Sequence, residues 1–285
     1  MTFRETFNSK LSALYTRDEC GVLWRRTLSA VCGVDMSRTY FITPDDLTPM
    51  QCDEIRGIAE RLSKGEPLEY ILGFAEFRSL KFKVTPATLI PRLETQELVS
   101  TIKEFHPDGN ASPNILEVGT GSGCIAITLA KSLPNARITA VDISAEALQV
   151  AQENARTHQT PNIQFLQCDF LNPDATESVI PNSEKFDLIV SNPPYVRPSE
   201  KPLMPVRVLD YEPHTALFVP ERDPLLFYRR IAEFSANRLT PQGRVAVEIN
   251  QWLSEPTAAL FTAHGFTAQI KKDLFSNPRI IIAKF

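Results

Sequence analysis

The chain has 285 residues, 43% of them hydrophobic and 22% charged, with a net charge of −4. This is a globular composition that argues against disorder, and the length fits one large or two ordinary domains. The acidic balance gives no general basic footprint for bare nucleic acid, and no apolar run approaches the length of a bilayer span.

The N-terminus lacks the apolar stretch of a signal peptide. Five scattered cysteines (20, 32, 52, 124 and 168), with no Cys-x-x-Cys, fit a reduced, cytoplasmic protein. Four histidines (106, 158, 214 and 264) lie far apart and show no ligand spacing, so no metal is expected.

Residues 1–73 read as a small helical bundle. Phe3, Phe7, Leu11 and Leu14 recur at helical spacing, and Val22, Leu23, Leu28 and Val31 continue in a second segment. Thr48-Pro49 is an N-cap followed by proline at the first helical position. Ile55, Ile58, Ala59 and Leu62 mark one face of that helix, Gly65 stops it, and a short extra helix fits 67–72. Phe74, Phe77, Leu80, Phe82 and Val84 then suggest two short strands meeting near Arg78-Ser79, a hairpin bridging two domains.

From residue 92 onward, helix and strand alternate. Helices are predicted at 94–105, 122–133, 145–157, 224–239 and 253–263. Strands are predicted at 114–118, 137–143, 163–167, 186–191, 244–249, 266–271 and 279–283. Such alternation implies a parallel sheet covered on both faces, and the two consecutive strands at the end suggest one antiparallel partner. The stretch 196–223, with Pro198, Pro202, Pro205, Pro213 and Pro220, reads as a substrate loop or lid.

Glu117-Val-Gly119-Thr120-Gly121-Ser122-Gly123 follows the first strand of the alternating region and opens a helix. Glycines there let the backbone turn tightly and approach a ligand, and the helix N-terminus supplies free N–H groups. Asp142 ends the next strand, about twenty residues on, where a carboxylate accepts from both ribose hydroxyls of an adenosine. These features alone leave NAD and S-adenosylmethionine both open. With the latter, the methionine end lies over the glycines and Glu117 sits near its ammonium. Asp169 then accepts from the adenine amino group and Phe170 packs on the ring, unless Phe170 is ordinary core.

Asn192-Pro193-Pro194-Tyr195 ends the strand 186–191. The prolines fix φ and remove two donors. Asn192 brings an acceptor oxygen, and Tyr195 a flat face with a polar end. The alternatives are a proline-rich turn or a rigid pocket for a planar group carrying an NH₂.

Taken together, these residues resemble the HemK-type protein glutamine N5-methyltransferases. Three further segments carry that resemblance: 65–73 (GEPLEYILG), 79–92 (SLKFKVTPATLIPR) and 212–217 (EPHTAL). Leu93-Glu94-Thr95 departs from the family's usual Pro-Asp/Glu-Thr, and Ser276-Asn277-Pro278-Arg279 from its Gly-Asn-Asp-Arg type of turn.

The resemblance implies a class I, Rossmann-like α/β fold with a mostly parallel seven-stranded sheet, joined by a β-hairpin to a small helical domain. It divides the chain into a substrate-recognition domain (1–73), a hairpin linker (74–91) and a catalytic domain (92–285). It implies methyl transfer from S-adenosylmethionine, leaving S-adenosylhomocysteine, to the glutamine of the Gly-Gly-Gln motif in peptide chain release factors. Asn192, Pro193 and Tyr195 are then catalytic, with Pro194 completing the substrate pocket. Gly119, Thr120, Gly121, Ser122, Gly123, Asp142, Asp169, Phe170 and Asn192 hold the cofactor. A monomer with no stable nucleic-acid or membrane partner is expected. The alternative is an N6-adenine methyltransferase, which shares the Asn-Pro-Pro-Tyr pocket.

Overall fold

The computed structural model describes residues 2–105, 109 and 111–285; His106 lies outside them. The chain divides into two compact units: 1–73 with 205–211, and 74–204 with 212–285.

In the first unit, α1 (Phe3–Leu11), α2 (Arg17–Cys32), α3 (Pro49–Leu62) and α4 (Leu68–Leu72) pack around Phe7, Leu11, Trp24, Leu28, Ile55 and Leu62. Thr2, Thr16 and Thr48 open the first three helices with reciprocal caps to Glu5, Glu19 and Gln51. Leu14 and Val22, counted in the apolar faces, are exposed instead. The segment 205–211 joins this unit: the Tyr211 hydroxyl donates to the Lys64 carbonyl (3.0 Å), and the Arg207 guanidinium lies over the Tyr15 ring.

The second unit begins with the hairpin β1 (Phe74–Phe77) and β2 (Leu80–Lys83). Its two-residue turn holds Arg78 and Ser79 at φ +48° and +63°, the mirror-image turn that suits strand twist. After α5 (Leu93–Lys103) come β3 (Asn114–Val118), α6 (Cys124–Ser132), β4 (Arg137–Asp142), α7 (Ala145–Thr157) and β5 (Ile163–Gln167). Next are α8 (Pro173–Val179), β6 (Phe186–Ser191), α9 (Val206–Tyr211, in the first unit) and α10 (His214–Leu217). The unit closes with α11 (Leu226–Arg238), β7 (Leu239–Glu248), α12 (Ser254–Ala263), β8 (Thr267–Lys272) and β9 (Pro278–Lys284).

These strands form one seven-stranded sheet in the order β5-β4-β3-β6-β7-β9-β8. Only β9 runs antiparallel to its neighbours. From β3 the chain builds outward to β5, then returns to lay β6 on the other side of β3. That reversal opens a crevice at the carboxyl ends of β3 and β6, where ligands bind in open α/β sheets.

Two elements escaped the hydrophobic pattern. The short α8 is capped by the Asn172 side chain and starts at Pro173. The 196–223 stretch is a chain of short helical segments, 198–203, α9 and α10, rather than an irregular loop.

Asn154, on α7, fastens the hairpin to the sheet. It is 2% exposed, accepts from the Lys83 N–H (2.7 Å), and donates to the carbonyls of Lys83 (3.0 Å) and Ser122 (2.9 Å). Asn154→Ala leaves buried backbone groups unpaired on both sides, so chemical denaturation is expected to show a loss of roughly 2–4 kcal/mol. A loss below half a kcal/mol would show that the hairpin is held by its apolar contacts alone.

Candidate functional site

The carboxyl ends of β3 and β4 carry the glycine loop and two carboxylates. Gly119, Gly121 and Gly123 take φ of +74°, +55° and +81°, a region that other residues reach only with strain. A Cβ on Gly119 or Gly121 would meet nothing within 4 Å, so the space over the loop is open. Gly123 serves packing: a Cβ there would stand 3.0 Å from Ile127 Cδ1 and 3.2 Å from Ala151 Cβ, between α6 and α7. The amides of Gly119 and Thr120 both donate to the Val141 carbonyl, tying the loop to β4. Thr120 and Ser122 are buried, and the Thr120 hydroxyl braces the loop by donating to Glu117 Oε2 (2.6 Å).

Asp142 ends β4. Its Oδ2 accepts from the Gly121 N–H (2.8 Å) and its Oδ1 from the Ser144 N–H (3.0 Å). Burial pushes its carboxyl above the usual range, against the pull of these hydrogen bonds. A carboxylate has about four lone-pair positions, so acceptor capacity remains on both oxygens.

Glu117, 1% exposed, lies below the loop. Its Oε2 accepts from the Thr120 hydroxyl (2.6 Å) and the Ala126 N–H (3.2 Å), while Oε1 has no partner. Burial pushes this carboxyl up to about 8, with Asp142 adding to the rise. An orphaned, buried carboxylate oxygen beneath glycines with open space above them fits a cofactor that carries a cationic group and an adenosine.

The Cys168 N–H donates to the Asp142 carbonyl (2.8 Å), which places the exposed Asp169 beside that strand end. Phe170 follows Asp169; it is 5% exposed, and its ring packs edge-on to Phe234 at 5.2 Å, with the Arg230 guanidinium over it.

The Asn-Pro-Pro-Tyr segment leaves β6 beside this loop. Val118 and Ser191 are partners in the β3–β6 register, and the Ser191 hydroxyl donates to the Val118 carbonyl at 2.7 Å. Gly119 and Asn192 therefore follow paired residues. Asn192 Nδ2 donates to Thr95 Oγ1 (3.0 Å), and the Thr95 hydroxyl donates to Glu248 Oε2 (2.7 Å). The Tyr195 hydroxyl donates to Glu248 Oε1 (2.9 Å), and the Tyr195 carbonyl accepts from Asn250 Nδ2 (3.1 Å). Burial and the nearby Glu248 hold the Tyr195 phenol well above its ordinary value, so it stays a donor. Pro193 is buried and Pro194 half-buried.

Of the residues singled out from sequence, the glycine loop, Asp142, Asp169 and 192–195 gather at this one edge, and Phe170, next to Asp169, packs against Phe234 and Arg230. Thr95, Glu248 and Asn250 were not foreseen. Two left a trace: Glu248 as an acid closing an apolar strand, and Thr95 as the threonine of the Leu93-Glu94-Thr95 segment. Among the described residues no group of histidine, cysteine and acidic side chains could hold a metal ion.

Glu117 generates a pH prediction. The folded protein holds its proton up to about pH 8, whereas an unfolded glutamate releases it near 4.5. Between those values the native state binds more protons, so stability without ligand falls as pH rises through that window. Denaturation at several pH values is expected to show a shallower slope for Glu117→Gln. Equal slopes would mean that Glu117 is already ionised in the folded state.

Comparison with known proteins gives two family matches: residues 110–272 to a methyltransferase domain and residues 16–73 to a PrmC N-terminal domain. A release factor glutamine methyltransferase from Bacteroides thetaiotaomicron is 40% identical over 96% of this chain and 95% of its own length. Another, from Flavobacterium psychrophilum, is 43% identical over 86% of this chain and 85% of its own. Among solved structures, a methyltransferase from Pyrococcus furiosus aligns with a TM-score of 0.51 at 18% identity, covering 73% of this chain and 89% of the other, a likeness of fold alone.

Proposed function

The chain belongs to the release factor glutamine methyltransferase family, and we propose that it methylates the side-chain nitrogen N5 of the glutamine in the Gly-Gly-Gln motif of peptide chain release factors, using S-adenosylmethionine. The observation that carries this reading is the juxtaposition at the switch point. A glycine loop with an acid at the next strand end lies beside an amide-binding Asn-Pro-Pro-Tyr, on paired strands.

When bound, S-adenosylmethionine supplies an electrophilic methyl on a sulfonium, so the hard bond-breaking chemistry is the cofactor's. The chain's residues bind and orient. Asp142 takes the ribose hydroxyls on its remaining lone pairs. Gly119 and Gly121 leave room for the backbone to approach, and Asp169 receives the adenine amino group. Glu117 offers Oε1 to the cofactor's ammonium.

An amide nitrogen is a poor nucleophile because its lone pair is delocalised into the carbonyl. Asn192 Oδ1 and the Pro193 carbonyl accept its two hydrogens and hold it in line with the methyl. These hydrogen bonds strengthen as the nitrogen becomes cationic, which is stabilisation of the transition state over the ground state. Tyr195 covers the amide plane, and Pro194 fixes the turn between the two. Correct orientation is worth roughly 7–11 kcal/mol in favourable cases. No base is required before transfer, since the product cation loses its proton readily. The helical unit recognises the body of the release factor, and the enzyme works in the cytoplasm as a monomer.

Incubating the protein with labelled cofactor and a purified release factor, followed by mass spectrometry, is expected to place one methyl on that glutamine. A glutamate in its place offers no hydrogens to the two acceptors and is expected to stay unmodified. Robust labelling of an adenine oligonucleotide instead would overturn the reading in favour of an N6-adenine methyltransferase.

Asn192→Ala is expected to lower the single-turnover rate by about 10²–10³, or about 2.7–4 kcal/mol, with cofactor affinity largely kept. Near-normal turnover would remove Asn192 from the mechanism. Asp142→Ala acts in the opposite sense: KM for the cofactor rises more than kcat falls, because ribose binding is common to ground and transition states. Unchanged affinity by calorimetry would leave Asp142 a mere strand-end residue.

A further inference from the structure

We infer that Glu248 and Thr95 are positioning residues that fix which way the Asn192 amide faces; the inference rests on the reading of Asn192 given above. Glu248 is 1% exposed and Thr95 2% exposed, so solvent does not reorganise their hydrogen bonds. As a carboxylate, Glu248 only accepts. It takes the Thr95 hydroxyl proton on Oε2 and the Tyr195 hydroxyl proton on Oε1.

A threonine hydroxyl has one hydrogen. With that hydrogen spent on Glu248, Thr95 can only accept from Asn192. The Asn192 NH₂ is therefore drawn to Thr95, and Oδ1 faces the other way, free for the substrate amide. Turning the Asn192 amide over would set Oδ1 against the Thr95 oxygen with no hydrogen between them. The direction of the whole chain, Asn192 to Thr95 to Glu248, is thus dictated by the acid at its end. The same carboxylate holds the Tyr195 ring by its hydroxyl, so both polar members of the tetrapeptide take their orientation from one buried group. Polarisation along the chain also raises the acceptor strength of Oδ1, since each bond strengthens the next.

The three residues come from α5, β6 and β7, and nothing local ties them together. The charge of Arg279 faces Glu248, and that guanidinium is paired with Asp273 at 3.2 Å. The Tyr228 hydroxyl donates to the Glu248 backbone carbonyl, fixing the strand end from which the carboxylate projects.

Three variants test this. Thr95→Val keeps shape and removes the hydroxyl, and Thr95→Ser keeps the hydroxyl. Glu248→Gln replaces one acceptor oxygen by a donor, so that one of the two incoming hydroxyls must reverse. Measured together are the single-turnover rate on a release factor, cofactor affinity by calorimetry, and the melting temperature. Thr95→Val and Glu248→Gln are each expected to lower the rate by roughly 10- to 100-fold, the scale for partners that orient a functional group. Cofactor affinity should stay within about threefold, and Thr95→Ser should retain a rate close to that of the parent. The double variant should be little worse than the poorer single one, because both cut the same chain.

If Asn192→Ala loses turnover while Thr95→Val keeps it, this inference falls and the proposed function stands. If Asn192→Ala itself keeps turnover, Asn192 leaves the mechanism and this inference falls with it, while methylation of the release factor still stands. Equal losses in Thr95→Ser and Thr95→Val, or a rate loss matched by lost melting temperature and cofactor binding, would assign Thr95 to packing and overturn the inference. Should Glu248→Gln not fold, the threonine pair decides alone.

Discussion

The pairing of β3 with β6 is the constraint on which the site depends. Parallel neighbours end at the same level, and here the last paired residues are Val118 and Ser191. The next residues on the two strands are Gly119 and Asn192, so the glycine loop and the Asn-Pro-Pro-Tyr tip emerge together. The Ser191 hydroxyl locks the register by donating to the Val118 carbonyl. A slip of one residue would turn the β6 side chains to the wrong faces and carry Asn192 away from Thr95. Full burial of Ile115, Leu116, Ile189 and Val190 makes such a slip costly.

Three buried or half-buried acids stand at this edge, and each is satisfied in its own way. Asp142 is held by backbone amides and keeps spare acceptor capacity. Glu117 has one oxygen satisfied and one orphaned, and burial, with Asp142 adding to it, pushes its carboxyl up to about 8. Glu248 has both oxygens occupied by hydroxyls, and burial raises its carboxyl while those bonds pull it back. The difference lies in the partners: backbone amides on Asp142, a single occupied oxygen on Glu117, and two side-chain hydroxyls on Glu248, so that only Glu248 orients other side chains through both of its oxygens.

Much of this was legible in the sequence, for reasons that are local. The strands 114–118, 163–167 and 186–191 are short apolar runs bounded by polar or turn residues, and each was predicted at its observed limits. The glycine loop is legible because positive φ restricts residue choice. The network behind Asn192 is not, because Thr95 lies 97 residues from Asn192 and 153 from Glu248. Thr95 shows in the sequence as the threonine of Leu93-Glu94-Thr95, but only the fold makes it a neighbour of Asn192. The contacts of Phe170 were hidden for the same reason: only the fold brings Phe234 and Arg230 of α11 onto its ring. The 196–223 stretch defeated periodicity because its helical segments are too short to show one.

The two departures from the family pattern can now be located. Leu93 is 72% exposed at the first position of α5, whereas Thr95, two residues on, is the buried one that meets Asn192. A change of residue at 93 therefore alters the surface and leaves the helix start that carries Thr95. In the last hairpin, Asp273 accepts from the amides of Phe275 and Asn277 (both 2.9 Å) and from Arg279 Nε (3.2 Å). That carboxylate organises the turn whatever occupies its tip, so Ser276, Asn277 and Pro278 replace the usual residues without freeing Arg279. The guanidinium stays beside Glu248 and Tyr195, where its charge eases the burial of an ionised acid. The sequence varies at the tip, and the cation that favours the carboxylate behind Asn192 remains.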